Sequence, residues 1–194
     1  MAGANPAQLM DRAVAVINVD ICIVGDILSP SASPILKDVF LEAIKAAPST
    51  LDPSKSYYDF LSTWLAKGEK TKDTSVEEYV KILGSGSDHA SFAFFAGVPS
   101  IYFSFEIDEQ KYPGVGSYPA YHTGFETFYL MEHVLDPGFL LHRSCTQLST
   151  HMLLQVSRCR HYLIILVIMP ASRVRLVAFV NWYKTLCGGG GEGS

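Results

Sequence analysis

The sequence has few of the features that mark a nucleic-acid binder, a zinc knot or a glycoprotein. Its 15 Lys and Arg stand against 19 Asp and Glu, for a formal net charge of -4, so it lacks the basic surface that nucleic-acid binding requires. None of its four cysteines lies in a Cys-x-x-Cys pair, which leaves buried thiols and one or two disulfides as alternatives. It contains no Asn-x-Ser/Thr sequon. We therefore expect no nucleic-acid partner, and the cellular compartment stays open.

Long apolar segments are also missing. The first 20 residues contain no basic segment followed by an apolar core, so we expect no signal peptide. The most apolar stretch, residues 162–169, has only about a third of the length that crosses a bilayer. The sequence therefore predicts no membrane-spanning helix.

The composition is that of a globular domain. Of the 194 residues, 48% are hydrophobic and 18% are charged. This length and hydrophobic content are enough for one hydrophobic core. Apolar alternation and β-branched runs predict strands at residues 13–20, 80–83 and 98–105. Apolar residues at three- and four-residue steps predict helices at residues 34–47, 56–66, 89–96 and from Pro137 onward, with Leu141, Cys145, Leu148, Met152 and Val156 on one stripe.

The segments between these elements are predicted to be loops. Residues 69–78 are polar and charged, whereas residues 106–121 are rich in Gly, Pro and Tyr, and a loop of that length is often functional. After about residue 159 the sequence becomes apolar without a period and ends in the flexible stretch GGGGEGS. We divide the chain at this point into residues 1–158 and residues 159–194.

Three short patterns contain the candidate catalytic and binding residues. The first is INVD at residues 17–20, which puts Asp20 at the end of a buried strand, where α/β proteins place ligands. The second is GSGSDH at residues 84–89, and the third is YPAYHTGFET at residues 118–127.

In this order and spacing the three patterns resemble the di-zinc exopeptidases of the glutamate carboxypeptidase and N-acetylated-alpha-linked acidic dipeptidase type. The likeness runs from about residue 11 to about residue 156 and includes the helix start DPGF at residues 136–139. It implies an α/β fold, namely part of a mixed, mostly parallel sheet flanked by helices and truncated at both ends. It also implies a peptide substrate, and a membrane-anchored or extracellular location.

In such enzymes two zinc ions activate a water molecule and polarise the peptide carbonyl. By resemblance, Asp20 is a carboxylate ligand of one zinc and His122 is the histidine ligand of the other. Tyr121 matches a tyrosine whose hydroxyl stabilises the tetrahedral intermediate.

Other residues match the surroundings of that centre. Ser85, Gly86 and Ser87 match the loop that lines the substrate cleft. Asp88 and His89 match a Ser-Asp-His stretch common in the wider superfamily, and the resemblance implies support for the ligands or capping rather than metal binding. Glu126 is expected to orient the loop of His122.

The sequence departs from the family on the strand at residues 98–105. The acidic-dipeptide enzymes bind substrate carboxylates there with two arginines, but this chain has Tyr102 and Ser104 at those substrate-binding positions. We therefore expect a neutral or aromatic-tolerant subsite rather than one for glutamate or aspartate.

A second departure concerns the remaining metal ligands. The family places its first histidine ligand, its bridging aspartate and a Glu-Glu pair before the strand that ends at Asp20, but here only one acid, Asp11, precedes Asp20, and the first histidine is His89. Two ligands without a general base do not make a two-metal hydrolase. We expect a fragment that is inactive alone, binds zinc weakly at most, and lacks the helices with which family members form homodimers.

Two alternatives compete with this interpretation. The transferrin-receptor relatives keep the fold as a non-catalytic interaction module, although a scaffold has no need of Asp20 and His122. A serine hydrolase is disfavoured, because neither Ser85 nor Ser87 stands in a Gly-x-Ser-x-Gly elbow.

Overall fold

The computed structural model of the chain describes residues 13–157 and the backbone of residues 163–168 and 176–180. Its strands are β1 (Ala13–Val19), β2 (Ile27–Ala32), β3 (Ser100–Glu106), β4 (Leu163–Ile168) and β5 (Leu176–Val180). Its α-helices are α1 (Lys37–Ala46), α2 (Tyr57–Lys67), α3 (Val76–Tyr79), α4 (Phe128–Leu130) and α5 (Leu140–Ser157). Short 3-10 turns at Pro34–Leu36 and Pro137–Phe139 and π-helical turns at Ser91–Phe95 and Met131–Leu135 complete the set.

The strands form one mixed sheet in the order β2-β3-β1-β4-β5. The two central pairings, β1 with β3 and β1 with β4, are parallel, whereas β2 and β5 pair antiparallel at the two edges. The predicted α/β class and mixed sheet are confirmed, although parallel and antiparallel pairings are equal in number rather than mostly parallel.

The faces of the sheet differ because side chains alternate along a strand. One face consists of Ile17 and Val19 of β1 with Ile101, Phe103 and Phe105 of β3, all of them in the main hydrophobic core. The opposite face has Asn18, Tyr102, Ser104 and Glu106 in the alternate positions of the same strands. We call this second side the polar face.

Helices α1, α2 and α5 cover the apolar face. Phe40 of α1 packs on Phe103 with ring centroids 6.1 Å apart, and Tyr57 of α2 packs on Phe105 at 5.7 Å. The Tyr57 hydroxyl donates to Ser144 of α5 (2.6 Å) inside the core. All five residues of the predicted α5 stripe are buried.

A disulfide joins Cys22, just after β1, to Cys145 in α5, with Cα atoms 6.7 Å apart. At these two residues the sequence allowed either free thiols or a disulfide, and the structure contains the disulfide. It ties the end of β1 to the helix that packs beneath it.

Most predicted helices are confirmed, and their ends have local causes. Ser56 accepts from the Asp59 N–H in a capping box at the start of α2, and Gly68 follows its end. Helix α3 lies in the segment predicted to be a loop; a second capping box, formed by Ser75 and Glu78, starts it.

The strand predicted at residues 80–83 is wrong. Lys81 makes one bridge beside Ser31, with its N–H donating to Pro30 O (3.1 Å) and its carbonyl accepting from the Ala32 N–H (3.0 Å). The chain then leaves the sheet through Gly84, so the pairing does not extend.

Three strands were not predicted: β2, at residues 27–32, and the strands β4 and β5. β4 and β5 lie within residues 159–194, which we had separated only by composition, and β4 pairs in parallel with β1. A run that is apolar at every position is typical of a buried central strand, so the sequence did contain a signal for β4. The division at residue 158 stays a prediction, and GGGGEGS lies outside the described residues.

Among the described residues, no helix is both long and apolar enough to cross a membrane.

Helix α5 offers a matched test of the core. Leu148 is fully buried, whereas Leu154 on the same helix is 54% exposed. We expect Leu148→Ala to lower the free energy of unfolding by about 3 kcal/mol, because it leaves a cavity in a packed core. Urea denaturation measures this, with Leu154→Ala as the control, which should change stability by less than about 0.5 kcal/mol. Equal losses in the two variants would contradict the described packing of α5.

Candidate functional site: the polar face and the ends of β1 and β3

The polar face is organised around Asn18. This residue is fully buried in the middle of an otherwise apolar strand. Its Nδ2 donates to Ser87 Oγ (2.7 Å) and lies 3.3 Å from His89 Nδ1. A side-chain amide of β1 thus holds the loop at residues 84–89 against the sheet.

His89 completes this attachment. Its Nε2 lies 3.0 Å from the carbonyl oxygen of Gly84, which only accepts, so Nε2 bears the proton and Nδ1 accepts from Asn18. The buried imidazole also lies against Tyr102, with ring centroids 5.2 Å apart. The predicted supporting residue His89 therefore fixes the loop, whereas for Asp88 the structure shows a backbone contact, its carbonyl accepting from the Ser91 N–H (3.3 Å).

A cavity of about 380 Å³ lies between this loop and the sheet. Ser85, Gly86 and Ser87 line one side of it, and Tyr102 lines another. Gly86 has φ 112°, a conformation that favours glycine. Four of the five predicted substrate-binding residues thus surround one cavity.

Ser104, the fifth, does not line the cavity. Its hydroxyl donates to the carboxylate of Glu106 two residues further along β3. Both side chains continue the row that begins with Tyr102 toward the carboxyl end of the strand.

Asp20 stands at the carboxyl end of β1. Asn18 pairs with Tyr102 across β1 and β3, and Asp20 follows two residues later, before Ile23 bridges Phe105 in a register shifted by two residues. The chain stays beside β3 here, since the Phe105 N–H donates to Cys22 O (2.8 Å). Gly25 is required just beyond, because a Cβ there would collide with the backbone of Glu106. Asp20 itself is half-buried.

His122 lies in the loop at residues 118–127. It has φ 59°, unusual for a non-glycine residue, and its exposed ring stacks on Tyr121 with centroids 3.9 Å apart. Such backbone strain is concentrated at functional sites.

A hydrogen bond within this loop supports it. The hydroxyl of buried Tyr118 donates to Glu126, and the Tyr118 and Tyr121 rings meet edge to face at 5.9 Å. Glu126 therefore makes a hydrogen bond within the loop that contains His122, although its functional role stays a prediction.

Electrostatics link this loop to the ends of the strands. Partial burial raises the pKa of Tyr121, and the charges of Asp20, Glu126 and Glu106 raise it further. Burial likewise raises the pKa of Tyr102, a hydrogen bond with Ser104 lowers it, and Glu106 and Asp20 add to the rise. The charges of Asp20 and Glu106 thus act on both tyrosines.

The described residues do not by themselves form a metal centre. Within them, no three His, Cys, Asp or Glu side chains come together in a way that could hold a metal ion. Asp20 and His122 offer one carboxylate and one imidazole, both of them zinc-compatible ligands. Their role as ligands stays a prediction.

Sequence reasoning assigned no role to two residues of this site, Asn18 and Glu106. A polar side chain within the apolar strand at residues 13–20 was a visible signal for Asn18. For Glu106 no local signal existed, because its importance comes from its neighbours on other segments.

Searches against known proteins return relatives of similar sequence. No protein-family model matches the chain. Aminopeptidase NAALADL1 of Mus musculus is 32% identical over 153 residues, which cover 78% of this chain and 20% of that protein. Glutamate carboxypeptidase 2 homolog of Caenorhabditis elegans is 38% identical over 143 residues, covering 72% and 18%. Probable glutamate carboxypeptidase LAMP1 of Arabidopsis thaliana is 35% identical over 139 residues, covering 71% and 18%. The chain thus spans about a fifth of the length of these relatives.

The Asn18 attachment can be tested by Asn18→Leu. We expect this near-isosteric change to lower the free energy of unfolding by about 1 kcal/mol, since Ser87 and His89 lose their donor while the loss of an unpaired buried oxygen offsets part of the cost. Amide hydrogen exchange at Gly84 and Gly86 should accelerate.

Ser91→Ala, an exposed change just beyond the loop, is the control and should leave both measurements unchanged. Unaltered exchange in Asn18→Leu would show that the loop is held by other contacts.

Proposed function

Because this chain is homologous to one segment of the glutamate carboxypeptidase and NAALADL1 aminopeptidase proteins, as its motifs predicted, we propose that it supplies part of the catalytic site of a zinc-dependent exopeptidase. The observation that supports this most directly is that Tyr121, whose ring stacks on His122, has its pKa raised in part by the charge of Asp20. The zinc-exopeptidase fold itself is part of the proposal.

Asp20 and His122 are the residues that would hold metal. Neither is sealed in the interior, since Asp20 is half-buried and His122 is exposed. Bound zinc lowers the pKa of a coordinated water and polarises the peptide carbonyl. The chain's contribution is to present one ligand on a sheet end held by backbone hydrogen bonds and the other on a strained loop braced by Tyr118 and Glu126.

Tyr121 would stabilise negative charge on the substrate. Its raised pKa keeps the phenol protonated at neutral pH, so the hydroxyl donates a hydrogen bond to an oxygen on which charge develops. Stacking on His122 fixes its ring next to that ligand.

The cavity on the polar face would take a residue of the peptide substrate. Ser85, Gly86 and Ser87 offer hydroxyls and backbone groups there, and the Tyr102 ring forms an apolar wall. Asn18 and His89 act indirectly, by positioning this loop.

The remaining metal ligands and the general base are not available within this chain, where only Asp11 precedes Asp20 among the acids and no histidine precedes His89. We therefore propose that the chain alone hydrolyses no peptide. Homodimerisation and an extracellular or membrane-anchored setting belong to the same proposal, and the Cys22–Cys145 disulfide favours an oxidising compartment.

Zinc binding tests the role of the two ligands. We expect the 194-residue chain to bind zinc weakly, and Asp20→Asn and His122→Ala each to lower the affinity by about tenfold, because each removes one of two ligands. Isothermal titration calorimetry measures this, and His133→Ala, at an exposed histidine elsewhere, should bind as the parent does.

Unchanged zinc affinity in both variants would contradict the metal site and favour a non-catalytic module of the transferrin-receptor kind. A separate assay adds zinc to the purified chain with a set of dipeptides. Saturable hydrolysis that a chelator abolishes would contradict the proposed incompleteness.

A further inference from the structure

We propose that the cavity between the loop at residues 84–89 and the sheet binds a phosphate group, and that Lys81 selects for it. The ligand is a phosphate monoester on a peptide side chain, and the free phosphate ion is a second source of the same group. This assignment rests on the proposed function only in giving the cavity to a peptide residue. It departs from the neutral subsite that Tyr102 and Ser104 alone suggested.

The lining of the cavity combines a cation with an absence of carboxylates. Among the described residues that line it, Lys81 is the only Lys or Arg, and none is Asp or Glu. Within residues 13–157 no carboxylate lies within ion-pair distance of Lys81, and its Nζ lies over the Tyr79 ring, 5.9 Å from the centroid. A cation without a carboxylate partner is available to an anionic ligand.

The backbone of Lys81 is fixed at the cavity, whereas its side chain is free to turn. Lys81 bridges Ser31 of β2, with its N–H donating to Pro30 O (3.1 Å). Ser31 lines the same cavity and lies opposite Tyr102 in the sheet. Because the Lys81 side chain is exposed, its ammonium group can reach a ligand from the β2 side of the cavity.

The loop at residues 84–89 supplies further donors. The backbone N–H groups of Gly84, Ser85, Gly86 and Ser87 donate to no acceptor within residues 13–157, and all four residues line the cavity. Successive free N–H groups in a turn form concavities that bind anions, phosphate among them.

This loop is held in place before a ligand arrives. Ser87 Oγ accepts from Asn18 Nδ2 (2.7 Å), so the hydroxyl proton of Ser87 is left to donate elsewhere. The contact of His89 Nε2 with Gly84 O (3.0 Å) fixes the start of the loop. A binding surface that is already ordered pays less entropy on binding.

The kind and number of donors favour phosphate over a carboxylate. A phosphate monoester presents three terminal oxygens and about 1.5 to 2 negative charges at neutral pH, whereas a carboxylate presents two oxygens and one charge. Arginine matches the planar carboxylate with two parallel hydrogen bonds, and no arginine is among the described residues of the cavity. The volume of about 380 Å³ also leaves room for the side chain that bears the phosphate.

The carboxylates at the strand ends lie outside the cavity. Glu106 pairs with Ile27, and Tyr102 pairs with Ser31, so Glu106 is four residues, or about 13 Å, along β3 from Tyr102. Neither Glu106 nor Asp20 lines the cavity. Besides burial, their charges help to raise the pKa of Tyr102, so the phosphate belongs on the Lys81 side, away from them.

Ligand binding to the 194-residue chain, with zinc absent, tests this assignment. The probes are inorganic phosphate, N-acetyl-O-phospho-L-serinamide, N-acetyl-L-serinamide and the α-amide of N-acetyl-L-glutamate, each titrated at constant ionic strength while the amides of Gly84 and Gly86 are followed by NMR. We expect the phosphoserine probe to bind saturably and about tenfold more tightly than the glutamate probe, because it accepts more charge-assisted hydrogen bonds. Binding tighter than that of inorganic phosphate would assign the group to a side chain, and weaker binding would assign it to the free ion.

Lys81→Gln should lower the affinity for the phosphoserine probe by about tenfold, since it removes the cation and keeps an N–H donor of similar reach. Lys111→Gln is the matched control. Lys111 is also exposed, and its Nζ also lies over a tyrosine ring, that of Tyr112, at 5.0 Å, but it does not line the cavity. This variant should bind as the parent does, and thermal unfolding confirms that both variants are folded.

Four results would each overturn the assignment: equal or tighter binding of the glutamate probe, binding of the unphosphorylated serine probe as tight as that of its phosphorylated form, unchanged affinity in Lys81→Gln, or no saturable binding of any probe. Failure of the metal proposal appears elsewhere, as loss of the effects of Asp20→Asn and His122→Ala on zinc affinity. The two failures are therefore distinguishable.

Discussion

The two faces of strand β1 lie in different environments, and the rest of the structure depends on how the side chains of each face are packed and hydrogen-bonded. Its apolar side chains, Ile17 and Val19 among them, enter the core beneath α1, α2 and α5. Asn18 points to the other face, where water is excluded, so its amide must find partners. It finds them in Ser87 and His89, and this one residue thereby attaches a glycine- and serine-rich loop to the centre of the sheet.

That attachment explains why the candidate site is a half-open cavity between a loop and the sheet. The loop at residues 84–89 is bound at Ser87, at His89 and through His89 at Gly84, which leaves Ser85 and Gly86 spanning a gap over Tyr102. Asp20 follows β1 near the end of β3, and its charge and that of Glu106 help to raise the pKa of Tyr102 and Tyr121. A second loop, braced by Tyr118 and Glu126, carries Tyr121 and His122, and the charges of Asp20 and Glu106 help to raise the pKa of Tyr121. The polar side chains lie on one face of the sheet because the helices cover the other face.

Much of the fold was predictable from local patterns. The apolar stripe from Leu141 to Val156 predicts a helix and its buried face, and the pattern at residues 56–66 predicts α2 to within one residue at each end. Where prediction failed, a local signal was ambiguous or overlooked. The run at residues 80–83 has strand composition, yet the chain turns away after one bridge at Lys81. The Ser75-Glu78 capping box, which starts α3, was present in the sequence and unrecognised.

By itself, the sequence determined strands β1 and β3, the three long helices, the order of the three motifs and the likeness to glutamate carboxypeptidases, because periodicity and motif spacing are properties of neighbouring residues. It also singled out Asp20, Tyr121 and His122 as chemically capable. Only the tertiary structure decided that Cys22 forms a disulfide with Cys145 and that the buried Asn18 holds the loop at residues 84–89 by hydrogen bonds. It also showed that Glu106 adds negative charge beside Tyr102 and Ser104, which alone suggested a neutral subsite. The physical reason is that a hydrogen bond, a disulfide or an electrostatic field depends on distance in space, and segments some 70 to 120 residues apart come within that distance only after the sheet has set their register.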